Sequence, residues 1–598
     1  MKYRFVGLLL CWLVVAQMTI AQNNTSPWQL KVDATVAEAV QEGKSVEVII
    51  VMQAQTDVSA ARQRSNKTDK GRFVFEQLQH QARTTQKPIL DILAKEQIPY
   101  RAFFLVNAIH AQLRPALVPL LAARTDVAYL AANPYVRMEE PMLTSAQHLD
   151  ATVTWRDDIT WGIRQIRADQ VWALGYTGQG VVVGGQDTGY EWTHPTIRNR
   201  YRGWNGTTAN HHYNWHDAIR QISPLHGDSV PNPALNPCGL DTKAPCDDHN
   251  HGTHTMGTIV GDDGAGNQIG VAPNAQWIAA RNMERGYGSP ATYIECFEWF
   301  LAPTDIQDRN PRPDLAPHVI NNSWSCPAME GCNPSNWALM DMAINNLRAA
   351  GVVVVQSAGN SGSDCSSVNA AAAIFESAFT VGASRQNDTI AGFSSRGPVV
   401  VDGSGRLKPN VVAPGVSVRS AIRGGGFATW NGTSMAGPHV AGVVALIISA
   451  NPALAGQVET IERILEETAK PMRTDQACGN RSGLDVPNHT YGYGRVDALA
   501  AVQYALNLSH NPALLAPTHS VKVFPNPTGD VATFQLYGFQ QDVVLRLFGL
   551  NGQLIQAQRW KVQDTSLQTL DLHDLPSGIY FYQIVSGDTF LSGKVVKY

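Results

Sequence analysis

Four short, almost wholly apolar runs set the architecture of this chain: Val181-Val182-Val183-Gly184-Gly185, Trp277-Ile278-Ala279-Ala280, His318-Val319-Ile320-Asn321 and Val352-Val353-Val354-Val355. A strand with one wet face alternates polar and apolar side chains, whereas a strand without alternation must be covered on both faces. Helix-length segments separate these runs between about Trp161 and Leu506. The middle of the chain therefore reads as an α/β unit, a parallel sheet with helices on both faces. Ligands in such sheets bind beyond the carboxyl ends of the strands, so the chemistry belongs there.

Several segments at or near those ends carry reactive groups among small residues. Val181–Gly185 runs into Gln186-Asp187-Thr188-Gly189, which delivers a carboxylate at a tight turn. Asp248-His249-Asn250-His251-Gly252-Thr253-His254 places imidazoles at the head of a small-residue helix. Val352–Val355 leads into Gln356-Ser357-Ala358-Gly359-Asn360-Ser361-Gly362, a loop with an amide side chain beside glycines. Gly432-Thr433-Ser434-Met435-Ala436-Gly437-Pro438-His439 then opens the apolar run Val443 to Ile448. At a helix start the Ser434 hydroxyl faces unpaired N–H groups and the positive dipole end, and small neighbours let a substrate backbone approach. Taken singly, each has an ordinary structural role: Asp187 and Asn360 as turn residues, His251 at a helix start, Ser434 as a cap. Together they supply an acid, a base, a nucleophile and an oxyanion donor.

Competing chemistries fit less well. An α/β-hydrolase requires G-x-S-x-G and the order Ser, acid, His, which Gly432–Ala436 does not meet. His249, His251 and His254 at i, i+2, i+5 cannot share one helical face, and no H-E-x-x-H is present, which argues against zinc catalysis. The order Asp, His, Ser is the subtilisin order. Asp187-Thr188-Gly189, His251-Gly252-Thr253-His254 and Gly432–Ala436 resemble the three signature motifs of the subtilase family of serine peptidases. Gly359-Asn360 is similar to the family's oxyanion loop, and Phe393–Pro398 to another recurring segment.

That resemblance covers roughly residues 160–505 and implies a secreted serine endopeptidase acting on proteins or peptides through an acyl-enzyme. Asp187, His251 and Ser434 would be the catalytic residues and Asn360 the oxyanion donor. Substrate would pair with Ser323-Trp324-Ser325 and lie beside Ser357, Ala358 and Gly359, with Trp324 narrowing or roofing the subsites. The uncharged loop Ser357–Gly362 points to a neutral first pocket. No cofactor is expected; calcium is common in the family, and Asp262 and Asp263 are the carboxylates to consider, with no site mapped onto them. The other reading is a surface-exposed binding protein on an inactive subtilase scaffold, although no triad position is replaced.

The flanks have their own signals. Lys2 and Arg4 precede the apolar run Phe5 to Val15, with a small-residue cleavage site before Gln22, so residues 1–21 read as an export signal. Beyond it no run reaches the length of a membrane span. Eight cysteines occur, and Cys11 leaves with the signal. Export favours disulfides: short loops suggest Cys238–Cys246 and Cys326–Cys332, Cys365–Cys478 is the expected long bridge, and Cys296 is left as a buried thiol. Residues 22–140 read as a small α+β unit, with strands at Val46–Val51, Tyr100–Ile109 and Val127–Leu130 and helices over Phe73–Leu93 and Ala116–Ala123. By the resemblance this unit is the propeptide, an intramolecular inhibitor, cut away between about Tyr135 and Trp155. The peptidase unit is expected over 156–506, and its polar stretch Arg198–Asp247 as surface loops.

After a linker at 507–520, residues 521–598 alternate over Val543–Phe548, Thr569–Leu572 and Ile579–Ile584, which predicts a small β-sandwich. This tail, down to Lys594-Val595-Val596-Lys597, resembles the C-terminal sorting domain of the type IX secretion system. It implies the secretion machinery as a partner and an extracellular or outer-surface location. A net charge of −4 gives no case for nucleic acid, and a monomer is expected.

Overall fold

The computed structural model describes residues 27–140, 142–143, 158–228, 232, 234–510, 520–539, 542–549, 552–562, 564–586 and 589–597. The export signal and most of the expected linker lie outside the described residues; the helix Ala498–His510 runs into the start of that linker.

The N-terminal unit is a four-stranded antiparallel sheet of β1 (Val46–Met52), β2 (Tyr100–Phe103), β3 (Ala108–Leu113) and β4 (Val127–Ala132), in the order β2-β3-β1-β4. The run Tyr100–Ile109 is two strands, because Asn107 adopts a φ of 36° and turns the chain back. The long helical pattern is likewise divided at Gln86, into α1 (Lys67–Thr85) and the helix Lys87–Lys95.

The middle of the chain forms a seven-stranded, wholly parallel sheet. Its strands are β5 (Val182–Asp187), β6 (Trp215–Asp217), β7 (Gln276–Arg281), β8 (Val319–Asn322), β9 (Val353–Ser357), β10 (Phe379–Ser384) and β11 (Val411–Pro414), in the order β11-β10-β9-β8-β5-β7-β6. On one face lie α2 (His251–Val260) and α4 (Thr433–Ala450); on the other lie α3 (Pro290–Leu301) and the helix Pro334–Ala349. Helix α4 packs on β5, β8, β9, β10 and β11. It comes this close because its facing residues are small: a Cβ on Gly437 would lie 3.0 Å from Asn321 Oδ1 on β8 and 3.3 Å from Ser357 Oγ on β9.

The polar stretch Arg198–Asp247 is not only surface loop. It contributes edge strand β6, whose Asp217 is buried against Arg281 at 3.2 Å; Arg281 also reaches Asp248 at 2.6 Å, and all three side chains are at most 1% exposed. Burial pushes the Asp248 carboxyl up to about 7, against the pull of Arg281. The expected bridges Cys238–Cys246, Cys326–Cys332 and Cys365–Cys478 all form, and Cys296 is a buried free thiol.

The N-terminal unit packs on the α3 face, where Phe103, Leu105 and Val74 share a core with Tyr293, Phe297 and Phe300. The C-terminal tail consists of a three-stranded and a four-stranded antiparallel sheet around their own core, which includes Phe534, Leu545, Trp560 and Ile584. It also contains the strands Val531–Phe539, Leu554–Trp560 and Thr589–Lys597, which were not read from sequence.

Candidate active site

Asp187 is the last residue of β5, and the chain leaves it through Gly189, whose φ is 109°. A Cβ on Gly189 would lie 1.8 Å from the Cys246 carbonyl oxygen, so only glycine passes here. Asp187 Oδ1 accepts from the Thr188 N–H at 2.8 Å and from His251 Nδ1 at 2.7 Å. Both side chains are buried. A carboxylate can only accept, so Nδ1 carries the proton and His251 Nε2 keeps its lone pair. Nε2 has no hydrogen-bond partner among the described residues.

His251 is the first residue of α2, and Asp247 organises that helix start. Its carboxylate accepts from the N–H groups of His249, Asn250 and Thr253 and from the hydroxyls of Thr188 and Thr253. The three histidines find different partners, as their spacing required. His249 Nε2 lies 3.3 Å from Glu140, while His254 Nε2 lies 3.2 Å from the Ala428 carbonyl and its ring stacks on Trp430 at 4.5 Å. Burial holds the His254 pKa down, to about 3.

Ser434 is the second residue of α4. Its hydroxyl donates to the Ser323 carbonyl at 3.3 Å, while the Ser323 hydroxyl donates to the Ser434 carbonyl at 3.2 Å. No bond from Ser434 to His251 is made in this structure. Asn360 Oδ1 accepts from the Thr433 N–H at 2.8 Å and the Thr433 hydroxyl at 3.0 Å, which fixes the amide with its NH2 away from Thr433.

One pocket joins Ser434 to the Asn360 loop, and neither Asp187 nor His251 lines it. Ser434, Thr433 and Asn360 line it together with Ser323, Trp324, Ser325, Ser357 and Gly359. Ala358 is buried and does not face it. Trp324 does not roof the cleft: its ring stacks on Tyr293 at 3.8 Å and is 3% exposed, so it backs the pocket from the core. The remaining wall residue is Glu139, which the sequence did not single out. Its carboxylate accepts from the Asn360 N–H at 2.8 Å, and burial raises its pKa. Also missed was the short strand Tyr287–Gly288, which pairs antiparallel with Val136 and Arg137; its only sequence signal was the glycine pair flanking Tyr287.

Calcium does not fit Asp262 and Asp263 well. Their carboxylates already accept from Gly264, Ala265 and Asn267 of their own loop. Among the described residues no group of three or more acids, histidines or cysteines is placed to hold a metal.

Residues 178–494 match the family model described as the Subtilase family, and residues 522–598 that of a Secretion system C-terminal sorting domain. The chain is 40% identical over 356 residues to Bacillopeptidase F of Bacillus subtilis (strain 168), a span that is 58% of this chain and only 22% of that protein. It is 30% identical over 346 residues to Subtilisin Savinase of Lederbergia lenta, covering 58% of this chain and 99% of that protein. M-protease of Shouchella clausii (strain KSM-K16) is 30% identical over 365 residues, 61% of this chain and 75% of that protein. The C-terminal sorting domain makes this a secreted or cell-surface protein, and the chain belongs to the subtilase family.

Proposed function

We propose that this protein is a serine endopeptidase that hydrolyses peptide bonds through an acyl-enzyme. The observation that carries the reading is the buried Asp187–His251 bond of 2.7 Å, which leaves the Nε2 lone pair unused. Rotation of the Ser434 hydroxyl off the Ser323 carbonyl would let Nε2 take its proton as Oγ attacks a substrate carbonyl. Asp187 then stabilises the imidazolium. The oxyanion that develops would be met by the Asn360 amide NH2, whose orientation Thr433 fixes, and by the Ser434 backbone N–H at the start of α4. Ser323, Ser325, Ser357 and Gly359 form the walls beside the scissile bond, with Trp324 behind them; Ala358 supports the loop from within.

Residues 22–140 are proposed to be the propeptide of this enzyme, 156–506 its peptidase unit, 507–520 a linker and 521–598 the sorting domain that engages the secretion machinery. Supporting the inhibitory role, the carboxylate of Glu139 lies on the Asn360 N–H within the proposed oxyanion loop. The test is covalent labelling by a fluorophosphonate probe. Processed wild-type protein should be labelled at Ser434 and the Ser434→Ala variant should not. A wild-type protein that is folded, processed and unlabelled would instead be a binding protein on an inactive scaffold.

A further inference from the structure

The pairs Val136–Arg137 and Met142–Leu143 are held on the two sides of the site. Upstream, Val136 and Arg137 pair antiparallel with Gly288 and Tyr287, and the Met138 N–H donates to the Gly286 carbonyl at 2.7 Å. Downstream, Met142 and Leu143 pair antiparallel with Asn431 and Trp430, on the strand that leads into Ser434. A chain held as an added strand at two places brings the bonds between them to the cleft. Those bonds lie around Glu139 and Glu140, whose side chains diverge. Glu139 enters the pocket, where the Asn360 N–H donates to it at 2.8 Å. Glu140 turns toward His249 Nε2, 3.3 Å away and two residues before His251. The peptide bond between them therefore joins a side chain held on the oxyanion loop to one held just before the helix start that carries the base.

We propose that the first pocket of this cleft takes an acidic side chain, and that the bond between Glu139 and Glu140 is the one the enzyme cuts in its own chain. The inference rests on the serine peptidase reading. Ser434 Oγ adds to the Glu139 carbonyl carbon as His251 Nε2 takes its proton. The C–N bond to Glu140 breaks, and that proton leaves on the Glu140 nitrogen. Water then hydrolyses the ester, leaving a carboxylate on Glu139 and an amine on Glu140. Selectivity comes from donors that composition does not reveal. The loop Ser357–Gly362 has no charged side chain, but its Asn360 N–H points into the pocket, and Ser361 beside it lowers the cost of the Glu139 charge. An apolar side chain would leave that N–H without its partner. Glutamine also offers that N–H an acceptor oxygen, so it should be cut faster than leucine.

The experiment has two readouts on one preparation of the full chain. A time course of self-processing, followed by mass spectrometry, should give Glu140 as the first new N-terminus. The processed enzyme is then offered peptides of sequence Val-Arg-Met-X ahead of the scissile bond, with X as Glu, Gln, Leu or Phe. Glutamate should exceed leucine and phenylalanine in kcat/KM by roughly tenfold or more, and Ser361→Ala should lower that ratio several-fold. Leucine or phenylalanine cut as fast as glutamate, or a first N-terminus elsewhere, would overturn the proposal. Fluorophosphonate labelling separates the causes: a labelled enzyme with the wrong preference refutes the pocket assignment alone. An unlabelled protein that cuts no peptide refutes the peptidase reading and this inference with it.

Discussion

The N-terminal unit is held to α3 by an interaction that should respond to pH in a specific way. Glu298 accepts from the Phe104 N–H at 2.5 Å and the Leu105 N–H at 2.8 Å, where the unit covers the helix. Burial pushes the Glu298 carboxyl from its ordinary 4.5 up to about 7, against the pull of those N–H groups and of Arg101. A carboxyl raised on docking favours its protonated form there, so docking is strongest below pH 4.5 and weakens as pH rises to about 7. The full displacement corresponds to roughly 3 kcal/mol, an upper bound because Glu298 keeps part of its burial when the unit leaves. Lys67 works in the opposite window. Its ammonium donates to the Ala316 carbonyl at 2.9 Å, and burial lowers its pKa from 10.5 to about 7, so its penalty is fully present below 7 and is relieved above. The two together make the grip weakest near neutrality. Both N–H groups bond one oxygen of Glu298, and a glutamine carbonyl can replace it. Glu298→Gln should therefore tighten inhibition of the processed enzyme by added segment 22–139 about tenfold at pH 8, and leave it nearly unchanged at pH 4. An inhibition constant that is flat from pH 4 to 9, or a Gln variant that binds more weakly at pH 8, would refute the reasoning.

Two further substitutions address the site itself. Asn360→Ala removes the proposed oxyanion donor while leaving the Asp187–His251 pair intact; kcat should fall by about 2.7–4 kcal/mol of barrier, a figure established on subtilisin, a member of this family, with KM little changed in steady-state assays. Gly189→Ala forces a Cβ into the Cys246 carbonyl at 1.8 Å in a left-handed backbone, so the turn behind Asp187 must move. It should cost more than about 4 kcal/mol in denaturant unfolding and abolish probe labelling.

The reactive residues were legible because each sits where bulk is forbidden. Asp187 before Gly189, His251 before Gly252 and Ser434 among Gly432, Ala436 and Gly437 are clusters whose small neighbours have no other sequence-level reason. The walls of the site were less legible. Trp324 seemed to belong to the cleft because its neighbours do, but Tyr293, thirty-one residues earlier, draws its ring into the core. The stretch Arg198–Asp247 looked like solvent-exposed loop because it is polar, yet Asp217 is buried against Arg281 and neutralised there. Composition registers a charge, not its partner. Glu139 was invisible for the same reason, since its meaning depends on the Asn360 N–H that receives it from a segment 221 residues away.

Asp187 and His251 are 64 residues apart in sequence, and Ser434 arrives only after every strand of the sheet has been made. No fragment and no half-built intermediate can hold the three together. If the first act of the finished site is to cut its own chain, that cut certifies the whole assembly: a misfolded copy never releases itself. Maturation of this kind would be a proofreading step, in which only a completely folded copy becomes an active peptidase.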